Sequence, residues 1–279
     1  MSNFVAYLAR SAVFALVAAL CGCATLNMDP AQREQKLQAF AQDTTDPLEP
    51  MNRVFLKGNL LFYQGVERPL AGVYMAAVPG VVRDRITSGV RNLEEPRIFI
   101  NDVLQGRGQA AATTLGRFAI NSTFGLAGMF DLAANSGLNR QTGDFGQTLF
   151  VWGIEPGPFV VLPVLGPATF RDGIGRAVDP SMNPATYAIY HWGGLWPSVG
   201  VGGFSALSGA AGLDDVLAGS LDVYPRLRSL YLQKRASELG EAVGVTVLPQ
   251  TEAVVVPPAP AEKPKRPAAK TAQKQTKPQ

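Results

Sequence analysis

Between Pro180 and Leu213 the chain runs 34 residues without one Asp, Glu, Lys or Arg. The run holds His191, Trp192, Trp196, two Tyr and seven Gly. Charged side chains almost never bury unpaired, so a soluble surface carries them every few residues. A run this long without them is either deep core or a surface that faces something other than water. Gly and Pro interrupt it, which excludes a simple spanning helix. Non-helical backbone at membrane depth survives where protein covers it or where it lines a cavity, and Trp and Tyr favour the headgroup level. Residues 145–170 repeat the pattern with Glu155 as their one charge. The reading is a chain seated in a membrane through several short helices and loops, with ordinary buried core as the alternative.

The rest of the composition narrows the chemistry. Charged residues are 17% of the chain, against ~25% in a typical soluble domain. With 29 Gly and 21 Pro, the elements must be short or interrupted. Both cysteines lie in the first 23 residues, so the body has neither a disulfide framework nor a Cys-based metal site, and one histidine excludes any site needing two imidazoles. The net charge of +3 is concentrated at the end: residues 249–279 hold six Lys/Arg and two Glu. Without that segment and Arg10, 18 basic side chains face 20 acidic ones. No basic face for displacing counterions from nucleic acid follows from such a body.

Residues 11–20, SAVFALVAAL, follow Arg10 and are too short to span a bilayer as a helix. This is signal-peptide architecture. Leu20-Cys21-Gly22-Cys23 reads as a lipobox, with an apolar residue, Gly, and then the acylated cysteine. Cleavage is expected before Cys23, leaving a lipid-modified N-terminus; an ordinary signal peptide with an incidental cysteine is the alternative. Ala24 after Cys23 matches, by resemblance to the bacterial lipoprotein sorting rule, an outer-membrane destination. More than one acyl chain anchors stably.

The expected organisation is a leader over 1–22, an acylated tether over 23–45, a mainly α body over 46–240 and a disordered Pro/Ala/Lys-rich tail over 241–279. Within the tether Asp29-Pro30 starts a short helix. Asp46-Pro47-Leu48-Glu49 writes a helix start with Asp46 as cap, and that helix is expected to stop before Pro69. A helix over Val82–Leu93 places Val82, Ile86, Val90 and Leu93 on one face, and Pro96 is expected to open another that ends near Gln105. Short helices are expected over Thr169–Val178 and Pro184–Tyr190, and a closing amphipathic helix over Pro225–Leu239.

Catalytic machinery is thin. There is no G-x-S-x-G elbow, no Walker pattern, and the Gly pairs at 173–175 and 202–203 lack the context of a dinucleotide loop. Glu94-Glu95 and Asp214-Asp215 diverge on a helix and make no acid/base couple; Glu94-Glu95 instead suits the helix start at Pro96. Asn52-Arg53, Asn101-Asp102 and Asn121-Ser122 are polar spots on apolar helices. They bond between helices or line a path for something amphipathic.

Five colinear segments then carry a family resemblance: DPLEPMNR (46–53), NLEEPRIFINDVLQG (92–106), RFAINSTFGLAGMFDLA (117–133), FGQTLFVWGIEPGPFVVLPVLGPATFRD (145–172) and YPRLRSLYLQKR (224–235). The chain resembles the MlaA/VacJ outer-membrane lipoproteins over residues 46–238. Met51 stands where the family often has an aromatic and Phe150 where it usually has Gly. The resemblance implies a helical ring in the inner leaflet of the outer membrane with a central amphipathic channel. It implies association with a trimeric porin, removal of mislocalised phospholipid from the outer leaflet, and delivery to a periplasmic carrier. No cofactor, metal or catalytic residue follows. Asn52, Arg53, Asn121 and the loop containing Leu162, Pro163, Arg171 and Asp172 become channel or gate candidates. For Arg53, Arg117 and Arg171 the alternative is pairing with Glu49, Asp131 and Asp172. Two rival functions are a structural envelope lipoprotein that tethers the membrane or stabilises porins, and a lipid hydrolase dependent on His191.

Overall fold

The computed structural model describes residues 24–183, residue 186 and residues 221–247. The leader, Cys23, His191, the expected helix over Pro184–Tyr190 bar residue 186, most of the charge-free run and the basic tail lie outside the described residues. Helices dominate what is described. α1 (Pro30–Ala41) opens on Pro30 with a reciprocal cap between Asp29 and Gln32. It is no free tether. Leu37 is fully buried, Arg33 donates to the carbonyls of Leu26 at 2.8 Å and Val243 at 2.8 Å, and Thr25 Oγ1 donates to the Phe150 carbonyl at 2.6 Å.

α2 (Glu49–Phe62) begins after Leu48, not at Asp46, because the Asp46 carboxylate accepts from Tyr224 and Asn52 instead. It does not stop before Pro69. A π-helical turn over Tyr63–Glu67 leads directly into α3 (Arg68–Ala77). The Arg68 N–H bonds the Tyr63 carbonyl across the wide turn. Pro69 then falls in the first turn of a new helical register, where its missing N–H costs little.

The two helices expected on either side of Pro96 are one: α4 spans Gly80–Leu104 with Pro96 inside. An interior Pro costs about 3 kcal/mol, offset here by the packing of α4 on α5 (Gly108–Thr123). Three side-chain bonds run down that contact in antiparallel order. Asn92 donates to Ser122 at 2.9 Å, Arg117 to Glu95 at 3.0 Å, and Thr114 to Asp102 at 2.8 Å. Glu95 is thereby an interhelical partner, where the sequence suggested a helix start.

The short helix α6 (Leu132–Asn135) is capped by Asp131 and α7 (Phe145–Val151) by Asp144. β1 (Phe159–Leu162) and β2 (Gly166–Thr169) form an antiparallel hairpin with Phe159 opposite Thr169 and Leu162 opposite Gly166. α8 (Phe170–Met182) is capped by the Thr169 hydroxyl and runs past Val178 through Pro180. α9 (Val223–Val243) extends beyond both expected ends and stops at Gly244, whose φ of 71° suits a residue without Cβ. The body therefore continues past residue 240: Val243 and Val247 are buried. Leu37, Phe150, Val151, Leu239 and Val243 form one apolar cluster between α1, α7 and α9; Leu56, Phe159, Val161 and Tyr224 form a second under the hairpin.

α7 and α8 meet backbone to backbone. A Cβ on Gly175 would lie 2.5 Å from the Gly146 nitrogen, and one on Gly146 would lie 2.6 Å from Asp172 Oδ1. Among the described residues, no helix is long and apolar enough to cross a membrane.

Gly175→Ala is expected to lower unfolding free energy in urea by about 1–3 kcal/mol through overpacking. Gly58→Ala, whose Cβ would meet nothing within 4 Å, is expected to be neutral or to stabilise by up to ~1 kcal/mol through helix propensity.

Candidate functional site

The helical stretch from α2 through α3 buries Leu56 and Tyr63 and presents most of its other apolar side chains outward. Val54, Leu61, Leu70 and Met75 are exposed, Val73 keeps 67% of its surface, and no residue of α3 is buried. From Pro69 to Val82 this stretch carries no charge. Two loops show the same character. Phe124 is 77% exposed and Leu126 and Met129 join it. Leu126 and Ala127 adopt φ of 50° and 56°, a left-handed conformation that costs energy without a glycine. Bonds from Gly128 N to the Asn121 carbonyl at 2.8 Å and from Phe130 N to the Gly125 carbonyl at 2.9 Å hold that loop. At the hairpin tip Val164 is 62% exposed, beside exposed Pro163, Leu165 and Phe170. Exposed apolar residues scattered singly are ordinary, but runs of them mark interaction surfaces.

Beneath these surfaces lie polar clamps, and the expected site residues fall into three of them. Asn52 is 0% exposed. It donates to the Phe159 carbonyl at 3.0 Å and accepts from Val161 N at 2.9 Å, pinning β1 to α2. Asn59 repeats this at the tip, donating to the Leu162 carbonyl at 2.9 Å and accepting from Val164 N at 2.8 Å. Leu162 and Pro163 are thus fixed by their backbone. Arg53 is half-exposed, bonds Glu49 at 2.8 Å and Asp222 at 2.8 Å, and lies 4.7 Å from the Tyr224 ring centre.

Asn121 sits elsewhere. Its amide donates to Asp131 at 3.0 Å and its oxygen accepts from Ala133 N at 3.0 Å. Arg117, buried beside it, donates to Glu95 at 3.0 Å, Asp131 at 2.9 Å and the Leu138 carbonyl at 2.6 Å. Burial pushes the Glu95 carboxyl up, with Arg117 opposing.

Arg171 and Asp172 belong to the third clamp. Arg235 donates to Asp144 through both Nη atoms at 2.7 and 2.8 Å and to Asp172 at 2.9 Å. Asp172 also accepts from Arg171 at 3.2 Å, Tyr231 at 2.7 Å and Thr169 at 2.8 Å. Burial would raise both carboxyls; the guanidiniums of Arg235 and, for Asp172, of Arg171 outweigh it and hold them below the usual carboxylate range.

The structure therefore does not gather the candidates into one lining. Asn52, Asn121, Arg171 and Asp172 are buried, and Arg53, Arg117 and Arg171 contact the acids that sequence proximity offered. Glu95, Asp144, Tyr231 and Arg235 were missed as partners. Tyr231 and Arg235, four apart on α9, were the available signal for a shared buried face. Among the described residues no group of His, Cys, Asp and Glu could hold a metal ion. What this arrangement offers chemically is a rigid polar interior under apolar outer segments.

A family model described as MlaA lipoprotein matches residues 44–238. The intermembrane phospholipid transport system lipoprotein MlaA of Shigella flexneri is 33% identical over 223 residues, 77% of this chain and 82% of its own. Its Haemophilus influenzae counterpart is 32% identical over 225 residues, 77% and 84% of the two chains. An uncharacterized protein of Rickettsia prowazekii is 32% identical over 152 residues, and the match spans 61% of its length. A solved structure from work on the structural basis for maintenance of bacterial outer membrane lipid asymmetry superposes with a TM-score of 0.62 at 31% identity, covering 70% of this chain and 99% of that one.

Arg235→Met leaves buried Asp172 and half-buried Asp144 without their shared cation and is expected to cost about 3–5 kcal/mol, read from urea unfolding; Arg53→Gln is expected to shift the midpoint far less. Because Asp144 and Asp172 titrate lower folded than unfolded, their contribution is complete above the usual carboxylate range and is lost only as pH falls below it. Glu95, Asp102 and Asp179 are raised by burial, so folding is favoured as they take up protons. Acidification from pH ~7 to ~5 is therefore expected to leave the unfolding midpoint undiminished.

Proposed function

We propose a function from one premise: the chain belongs to the MlaA lipoprotein family. It is a lipoprotein of the bacterial outer membrane that removes mislocalised phospholipid from the outer leaflet and passes it toward the inner membrane, keeping the outer membrane asymmetric. The observation that carries this reading is the match of 77% of the chain to relatives named as intermembrane phospholipid transport lipoproteins. The exposed apolar side chains of α2 and α3, with no charge between Pro69 and Val82, support it, since such a surface is costly in water and at home among acyl chains.

In this proposal acylated Cys23 anchors the protein on the periplasmic side, and the body sits in the inner leaflet as a ring around an amphipathic channel. A trimeric porin holds it there, and a soluble periplasmic carrier receives the lipid. The task is transport, not bond cleavage. A phospholipid needs a polar path for its headgroup while its chains remain in an apolar environment. A body seated in one leaflet excludes that leaflet's lipids and admits those from the other side. The buried candidates then act as a frame. Asn52 holds the hairpin against α2, Asn121 holds the loop carrying Phe124 and Leu126, Asp172 holds α8 on α9, and Arg171 ties the start of α8 to the Ile154 carbonyl. Leu162 and Pro163 carry the hairpin tip whose outer face meets lipid.

In cells lacking their own copy of such a protein, this chain is expected to restore low surface phospholipid, and the gently extracted protein is expected to carry phospholipid detectable by mass spectrometry. Leu61→Lys combined with Val73→Lys, placed on exposed positions, is expected to abolish restoration at normal expression. Restoration by that variant, or wild-type protein that carries no lipid, would favour the tethering role.

A further inference from the structure

We infer that the cavity between α1, residues 155–156 and α9 binds one fatty acid, with Arg171 donating to its carboxyl group. The inference does not depend on the transport reading. The cavity holds about 300 Å³ and is walled by Leu37, Phe40, Phe150, Pro156 and Leu239. That is the lower end of the size range for small-molecule sites. Lys36, Asp43, Glu155 and Arg171 are the charged residues in its lining. The first three lie at the surface, and Lys36 and Glu155 pair across it at 2.8 Å. Arg171 differs: it is 2% exposed and lies 5.3 Å from the Phe150 ring centre.

The guanidinium of Arg171 is incompletely satisfied. Nε donates to Asp172 Oδ1 at 3.2 Å and Nη1 to the Ile154 carbonyl at 3.4 Å, while Nη2 is buried with no acceptor. A buried donor left unmade is costly, the more so on a charged group. Asp172 is already shared, since Oδ1 also takes Arg235 and Oδ2 takes Tyr231 and Thr169. Among the described residues no group meets Nη2, and a ligand in the cavity can supply the acceptor.

The walls decide its chemistry. An inorganic anion would leave the apolar lining unused. A diacyl lipid brings two chains to a space at the small end for any ligand. A single-chain acid offers an apolar tail for Leu37, Phe40, Phe150 and Leu239 and an oxygen for Nη2.

The test uses the full-length protein in lipid nanodiscs and a decanoic acid bearing a photoreactive diazirine, with labelled residues mapped by mass spectrometry. Saturable labelling of Leu37–Phe40, Phe150 or Leu239, competed by decanoic acid, is expected. Ala39→Trp fills the mouth from an exposed position that lines the cavity. It is expected to weaken labelling ~10-fold or more, the loss of about 1.4 kcal/mol of binding, with an unchanged melting temperature. Absence of saturable labelling, or equal labelling in Ala39→Trp, overturns the site. Equal competition by decanol overturns the role of Arg171. Equal labelling of these residues by a photoreactive phospholipid, or competition by inorganic phosphate, overturns the assigned ligand.

Discussion

The Arg235 guanidinium, shared between Asp144 and Asp172, ties three helices at one point. Asp144 caps α7, Asp172 stands in the first turn of α8, and Arg235 comes from the middle of α9. Two unpaired carboxylates could not remain charged at this depth, and a lone guanidinium would be as costly. With Arg171 beside Asp172 two guanidiniums balance the two carboxylates, and Tyr231 and Thr169 satisfy further oxygen lone pairs. The cluster closes only because Gly146 and Gly175 let α7 and α8 touch through their backbones. Glycine supplies the approach and the ion pairs fix its geometry.

The same logic recurs in the other clamps. Arg117 joins α4 to the Asp131 cap of α6, so α4, α5 and the loop between α5 and α6 share one charge system. Asn52 and Asn59 fasten the hairpin to α2 by mimicking strand partners, each both donating to and accepting from its backbone. In each case an exposed apolar segment is positioned by a buried polar side chain. The sequence left these polar spots to bond between helices or to line a path, and the bonds of Asn52 and Asn121 run within the protein.

What the sequence made legible was local. Asp29-Pro30 and Thr169 start helices because the capping side chain acts within its own turn. The pairing of Arg53 with Glu49, one helical turn apart, was readable for the same reason. Asp46 failed as a cap because residues distant in the chain compete for its carboxylate. Pro69 failed as a stop because a π-turn resets the register, and Pro96 failed as a helix start because interhelical bonds span the defect. The bond from Arg235 to Asp144 crosses 91 positions and leaves no local trace. The five motif segments carried the family, and several contain clamp residues: Asn52, Glu95, Arg117, Asn121, Asp172 and Arg235.

A molecule surrounded by hydrocarbon cannot hold itself together mainly by hiding leucines, since acyl chains solvate them as well as a core does. Close backbone contact and hydrogen bonding must then carry more of the stability. The described residues have that distribution. Glu95, Asn101, Asp102, Gln105, Thr114 and Arg117 are buried, while Val54, Leu61, Val73 and Phe124 are outside. In water the exposed set would favour association or collapse. Against acyl chains it costs nothing, and the polar interior keeps its strength because water is excluded from it. This division of labour suits the proposed body that meets lipid laterally.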